Sequence, residues 1–163
     1  MELINQTVLI TGAAGKIGSA IATHVLEQGG TVLLTDINKE KLVKLKNKFF
    51  SQGKEKVHLI IADITTSVGI ETLLEECLIK VDRIDSAIHS AYPTSPGWGD
   101  NFEDLIQANL DKDLSMQLGG AILFSQIIIK YFVKQKKGNL IHISSIFGIQ
   151  APKFHHYEGT NMT

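Results

Sequence analysis

The sequence predicts an α/β protein: a doubly wound parallel sheet with helices on both faces. Three observations predict it. Short β-branched and apolar runs alternate with longer stretches whose apolar residues recur at three- and four-residue intervals. The connections are long enough to hold crossover helices, and right-handed crossovers bring each strand back the same way up. A glycine-rich turn, with Gly12, Gly15 and Gly18, stands where the first strand gives way to the first helix.

Val8–Ile10 is a continuous apolar run and reads as a buried strand. Ile17, Ile21, Val25 and Leu26 place the first helix over Ile17–Gln28, stopped by Gly29 and Gly30. Thr31–Thr35 is a second strand, ending in Asp36. Asn38 caps a helix that begins at Lys39 and carries Leu42, Leu45 and Phe49 on one face. Val57–Ile61 is a third strand, running into Ala62 and Asp63. Thr66 or Ser67 caps a helix bearing Ile70, Leu73, Leu74, Cys77 and Leu78. Ile84–Ile88 is a fourth strand, followed by the Pro/Gly loop AYPTSPGWGD. Phe102–Asn109 reads as a short helix, with extra length around Asp111–Ser115, and Leu114–Gln135 as a long one. Leu140–Ile143 is a fifth strand, closed by Ser144 and Ser145. No repeat or composition break divides the 163 residues, so 1–163 reads as a single domain.

The bulk numbers exclude some classes. A formal charge of −1 gives no reason to expect nucleic acid. Cys77 is the single cysteine, so there is no disulfide framework, and the N-terminus lacks a signal-peptide pattern; a cytoplasmic protein is expected. The apolar stretch Gly119–Val133 is interrupted by Ser125, Gln126 and Lys130 and reads as too short and too polar to span a bilayer, so no membrane partner is expected. The lysines of 39–56 read as a solvated helix face. His89 and His142 fall in apolar strand patterns and read as core residues. No metal-ligand spacing accompanies them or the pair His155 and His156, so no metal is expected.

The glycine turn carries the chemistry. The first amides of a helix lack internal partners and, with the helix dipole, form a pocket for an anion. Glycines remove the Cβ atoms that would hold a pyrophosphate off the backbone. A P-loop reading fails, because the loop is too short and Ile17 stands where a magnesium-binding hydroxyl belongs. Asp36, at the tip of the second strand about 20 residues on, is placed to take the hydroxyls of an adenosine ribose. Its plainer alternative is a cap for the next turn. For Asp63 the alternative is a cap for the following helix, and Ser144 and Ser145 can simply satisfy loop amides.

At these strand ends the sequence resembles the short-chain dehydrogenase/reductase family, whose members have the dinucleotide-binding Rossmann fold. TGAAGKIG resembles the family's glycine turn, with a spacing closer to its extended, sugar-nucleotide branch. DSAIHSAY (Asp85–Tyr92) resembles D-x-L-V-N-N-A-G, with His89, Ser90 and Tyr92 as departures. QLGGAILFSQ (Gln117–Gln126) resembles N-L-x-G-x-F-x-x-T-Q, and GNLIHISSIFG (Gly138–Gly148) resembles G-x-I-I-N-I-S-S-x-x-G. The resemblance covers nearly the whole chain.

The resemblance implies a nicotinamide cofactor. Gly12, Gly15 and Gly18, with Lys16 and Ile17, would hold the pyrophosphate, and Asp36 with Ile37 the ribose. Asp36 would repel a 2′-phosphate, favouring NAD, while Lys16 keeps NADP open. Asp63 and Ile64 would meet the adenine, and Ser90 and Ala91 the adenosine side. Ser145 matches the catalytic serine. Gln117 takes the place of an asparagine that supports a proton relay, with Asn109 as the competing residue. The family's tyrosine–lysine pair has no full match: Tyr157 has suitable spacing from Ser145, but Asn161 stands where the lysine belongs. The pair is therefore expected beyond Thr163, in a longer subunit.

The expected activity is hydride transfer between nicotinamide and a hydroxyl or keto group of a small molecule. A looser likeness to flagellin-modification and surface-glycan enzymes suggests a sugar or nucleotide-sugar. A sugar-nucleotide dehydratase or epimerase, or a non-catalytic dinucleotide-binding module, are the alternatives. The apolar circumference of Ile122–Val133 suggests a homodimer or homotetramer.

Overall fold

The computed structural model describes residues 2–151 and 153–159. Five parallel strands form its sheet: β1 (Thr7–Thr11), β2 (Thr31–Asp36), β3 (Val57–Ile61), β4 (Ser86–His89) and β5 (Asn139–His142). Their spatial order is β3-β2-β1-β4-β5. The chain builds outward from β1 in one direction, then crosses back to build outward in the other. The reversal lies between β1 and β4, where Thr11 is paired with His89. In sheets of this kind the crevice outside the strands' carboxyl ends at the reversal is the ligand site.

Alternating side chains of β1 to β4 enter two separate cores, as burial on both faces requires. Leu9, Leu33 and Ile60 point to one face with Ala87, and are covered by α3 (Ser67–Lys80) and the long helix before β5 through Ile70, Leu73, Phe124 and Ile128. Val8, Ile10, Val32 and Leu34 point to the other, covered by α1 (Lys16–Glu27) and α2 (Lys39–Ser51) through Ala22, Val25, Leu42 and Phe49. Local signals start the helices. The Asn38 side chain accepts from Lys41 N at 2.9 Å, and Thr66 Oγ1 from Gly69 N at 3.1 Å, which decides for Thr66 over Ser67 as the cap of α3. The lysines of α2 are mostly solvated; Lys46 lies over the Phe50 ring.

The long-helix region departs from expectation. Phe102–Asn109 is not one short helix. Phe102–Asp104 forms a 3₁₀ turn, and α4 begins at Gln107 and runs to Leu114. Asp111–Ser115 is not extra length outside the helix. It continues through a π-helical turn, Ser115–Gly119, into α5 (Gly120–Gln135). The apolar stretch considered alone is short. The 29-residue helix Gln107–Gln135 is, by length and composition, long and apolar enough to cross a membrane. Its residues Phe124, Ile127, Ile128 and Phe132 are buried in the protein's own core. Strand edges also shift: β4 includes His89, and β5 begins at Asn139.

His89 is buried, as expected, but His142 is exposed. β5 is an edge strand here, and Ile141 and His142 on it both remain accessible. The His142 ring lies 5.1 Å from that of His89, and its Nε2 is 2.9 Å from Ser125 Oγ. The Ser125 hydroxyl donates to Ala121 O, so it accepts from Nε2–H. At the opposite end of the sheet, buried Asp85 accepts from Thr7 N at 2.9 Å and has Arg83 Nε at 3.0 Å from its other oxygen, fastening β1 to the start of β4.

Candidate functional site

The glycine turn is built by steric necessity. Gly12 has φ +63°, and a Cβ there would lie 2.7 Å from Ala91 Cα and 2.8 Å from Ser90 O. The β1 turn therefore rests directly on the backbone leaving β4. A Cβ on Gly18 would collide with Gly12 O and lie 2.8 Å from Ala13 Cα, so α1 packs against the turn only because residue 18 is bare. Gly15 is the N-cap of α1 and supplies no side-chain acceptor. The opening amides of α1, from Lys16 to Gly18, are left for another acceptor.

Hydrogen bonds fix the neighbouring strand ends to this turn. Ala13 N donates to Thr35 O at 3.0 Å. The Asp36 carboxylate accepts from Ala14 N at 3.1 Å and from Asn38 N at 3.0 Å. Asp36 thus does cap the following turn, and it ties that turn to the glycine loop. Thr11 Oγ1 accepts from Ser90 N at 3.2 Å and Ala91 N at 3.4 Å. Asp63 Oδ1 accepts from both the amide and the hydroxyl of Thr65 in a tight turn before α3, whose cap is Thr66 and not Asp63.

These strand ends enclose a cavity of about 550 Å³, within the range of small-molecule sites. Of the residues expected at a cofactor site, Gly12, Gly15, Asp36, Ile37, Asp63, Ile64, Ser90 and Ala91 line it. Lys16 and Ile17 are exposed on the first turn of α1 beside it, and Gly18 lies beneath. Thr35 also lines the cavity; its buried hydroxyl has no hydrogen-bond partner among the described residues. Sequence reasoning missed Thr11, Thr35, Tyr92, Pro93, Thr94 and Met116 as wall residues. Thr11 and Thr35 could have been found, since each precedes a singled-out residue at a strand tip. Met116 could not, because the π-helical turn that carries it left no mark in the apolar pattern.

Ser145 and Gln117 are outside the cavity wall. Ser145 follows β5, is exposed, and its Oγ accepts from Phe147 N at 3.2 Å at the start of the 3₁₀ turn Ile146–Gly148. Gln117 sits in the π-helical turn, and its Nε2 donates to Pro93 O at 3.1 Å. Phe154–Tyr157 forms a 3₁₀ turn, and Asn161 is outside the described residues.

Electrostatics follow from burial. His89 lies 5.1 Å from the Phe124 ring, and burial, aided by the nearby His142, lowers its pKa from 6.5 to about 4. His89 is therefore neutral at neutral pH. Burial also raises the Tyr92 phenol above its ordinary value, with the Asp113 charge adding to the effect. The Cys77 thiol is pushed up to about 12, chiefly by burial, and is inert as a nucleophile. No cluster of metal-ligating side chains occurs among the described residues.

A family model described as short chain dehydrogenase matches residues 6–160. The chain belongs to the short-chain dehydrogenase family. A post-translational flagellin modification protein A from Campylobacter coli is 35% identical over 161 residues, 98% of this chain and 63% of that protein. A 3-oxoacyl-acyl-carrier-protein reductase from Thermotoga maritima is 29% identical over 91% of this chain and 59% of its own length. The chain thus spans about three-fifths of the length of these relatives. Among solved structures, an NAD⁺-bound xylitol dehydrogenase superposes with TM-score 0.84 at 22% identity, over 99% of this chain and 58% of that one. The five-stranded parallel sheet is therefore the Rossmann-type sheet of the short-chain dehydrogenases.

Proposed function

We propose that this chain is the cofactor-binding part of an NAD-dependent short-chain dehydrogenase that moves hydride between nicotinamide and a hydroxyl or keto group of a small molecule. The observation that carries the reading is the bare, uncapped start of α1 opening beside the cavity that Asp36 lines. Nicotinamide, when bound, supplies the hydride acceptor or donor. The chain's own residues would do the rest. The amides of the glycine turn, with Gly12, Gly15 and Gly18 giving close approach, would hold the pyrophosphate. Asp36 retains acceptor capacity beyond its two amide bonds and would take the ribose hydroxyls; its charge disfavours a 2′-phosphate, so NAD is preferred to NADP. Asp63 and Ile64 would border the adenine, and the Ser90 and Ala91 backbone the adenosine. The unpartnered Thr35 hydroxyl in the wall supports a polar ligand there. Ser145 would hydrogen-bond the substrate oxygen and stabilise charge developing on it.

The likeness to a flagellin modification protein supports a sugar-derived substrate. The outward apolar residues Leu114, Leu118, Ile122 and Val133 support a homo-oligomer built on the long helix. The family and the single free cysteine support a cytoplasmic location.

Calorimetric titration of the chain with NAD and NADP tests the cofactor reading. NAD should bind, NADP at least about tenfold more weakly, and Asp36→Ala should narrow that gap. Equal affinities for both in the unsubstituted chain would remove the role given to Asp36, and no binding of either would remove the cofactor reading.

A further inference from the structure

The loop leaving β4 is gripped by one face of α4 and the π-helical turn. Asp113 is buried, 9% exposed, and both of its oxygens are spent on one loop residue. Ser95 N donates to Oδ1 at 2.6 Å and Ser95 Oγ to Oδ2 at 2.8 Å, and Ser95 is itself only 5% exposed. Four residues on, Gln117 Nε2 donates to Pro93 O at 3.1 Å. Four residues back, the Asn109 side chain packs so closely on Gly97 that a Cβ there would collide with it. Positions 109, 113 and 117 share a helix face, and they meet Gly97, Ser95 and Pro93, every second residue of the loop. The helical and extended periods are matched, running in opposite directions. Tyr92, Pro93 and Thr94, at the loop's start, line the cavity, and the Tyr92 ring stands edge-on to Trp98 at 5.1 Å.

A buried carboxylate whose partners all come from a single loop residue is a poor source of net stability, because its desolvation offsets most of the gain. It is an effective way to specify one loop position, since any other would leave the charge unpartnered. The geometry points to Asp113 as a positioning residue. Through Ser95, and with Gln117 acting on Pro93, it latches the Tyr92–Trp98 segment to α4 as a fixed wall of the cavity. The wall's identity as part of a dinucleotide site rests on the function proposed above; the latch does not. Gln117 then acts by holding the wall.

Trp98 is the only tryptophan, so its fluorescence reports on this loop. In the ligand-free chain, Asp113→Ala should lower Trp98 anisotropy and raise its quenching by acrylamide about threefold, as a loosened segment requires; Ser95→Ala, which removes the Oγ bond and leaves the Ser95 N bond, should raise quenching about 1.5-fold. Asp113→Asn keeps an acceptor for Ser95 N and should fall nearer the unsubstituted chain. Asp104→Ala, which removes only an exposed contact with Asn101, should change nothing. In titrations, Ser95→Ala should weaken NAD about fivefold through the cost of ordering the wall, with an unaltered far-UV circular dichroism spectrum. If Asp113→Ala does not fold, Ser95→Ala decides. Unchanged Trp98 quenching in Ser95→Ala, or an equal change in Asp104→Ala, would overturn the latch. Loosened Trp98 in a chain that never binds NAD would support the latch and count against the cofactor reading alone.

Discussion

His89 shows how the burial of one side chain sets the pH dependence of stability. In the unfolded chain its imidazole titrates near 6.5, and in the folded protein near 4. Between those values the unfolded state holds a proton that the folded state does not. The group leaves stability unaffected above pH 6.5 and lowers it as the pH falls, the loss approaching ~3 kcal/mol near pH 4. His58 is pushed in the same direction, chiefly by burial and also by Lys80 and Lys46, so its contribution has the same sign. Urea unfolding at pH 7 and pH 4.5 should show a steeper loss for the unsubstituted chain than for His89→Asn. Parallel losses would mean that His89 is not the group responsible. Motif matching placed His89 at a strand end, and its apolar neighbours marked it as buried. The same reasoning failed for His142, because a strand's place at the sheet edge is set by the order of all five strands and not by its own residues.

At the scale of single elements, the helix starts are the most local part of the structure. Asn38→Ala removes the acceptor for Lys41 N and should cost about 1 kcal/mol of stability, read as a lower urea midpoint with unchanged slope. These caps were legible because a cap is decided within four residues. The glycine turn was legible for a related reason: Gly12 and Gly18 are bare because backbone lies against them, and few other residues fit. The break before Gln107 was not legible, since Leu105 and Ile106 continue the apolar pattern across it. Neither was the π-helical turn, where Ser115–Gly119 absorb an extra residue without a proline or any change in composition. The loop wall, with Tyr92 and Thr94, was hidden as well. Its placement depends on Asp113, eighteen positions from Ser95, and no local rule links the two.

For the molecule as a whole, the long helix has two apolar sides and the sheet covers only one. Leu110, Leu114, Leu118 and Ile122 recur every fourth residue and are all exposed, Leu118 by 60%. The homo-oligomer proposed above would pair its copies through this face. Leu118→Lys should shift sedimentation velocity toward the monomer while leaving the far-UV circular dichroism spectrum unaltered. Identical sedimentation of the two proteins would place any contact elsewhere.

The rim of β5 has a consequence of its own. Four residues carry backbone donors and acceptors along a margin that no described strand covers, with Ile141 and Ile143 accessible beside them. Such a margin is adhesive by geometry, offering the same ladder to any extended segment that drifts alongside. Handled by itself at high concentration, this polypeptide should clump through its backbone, and a charged residue grafted at Ile141 would be the first remedy for keeping it in solution.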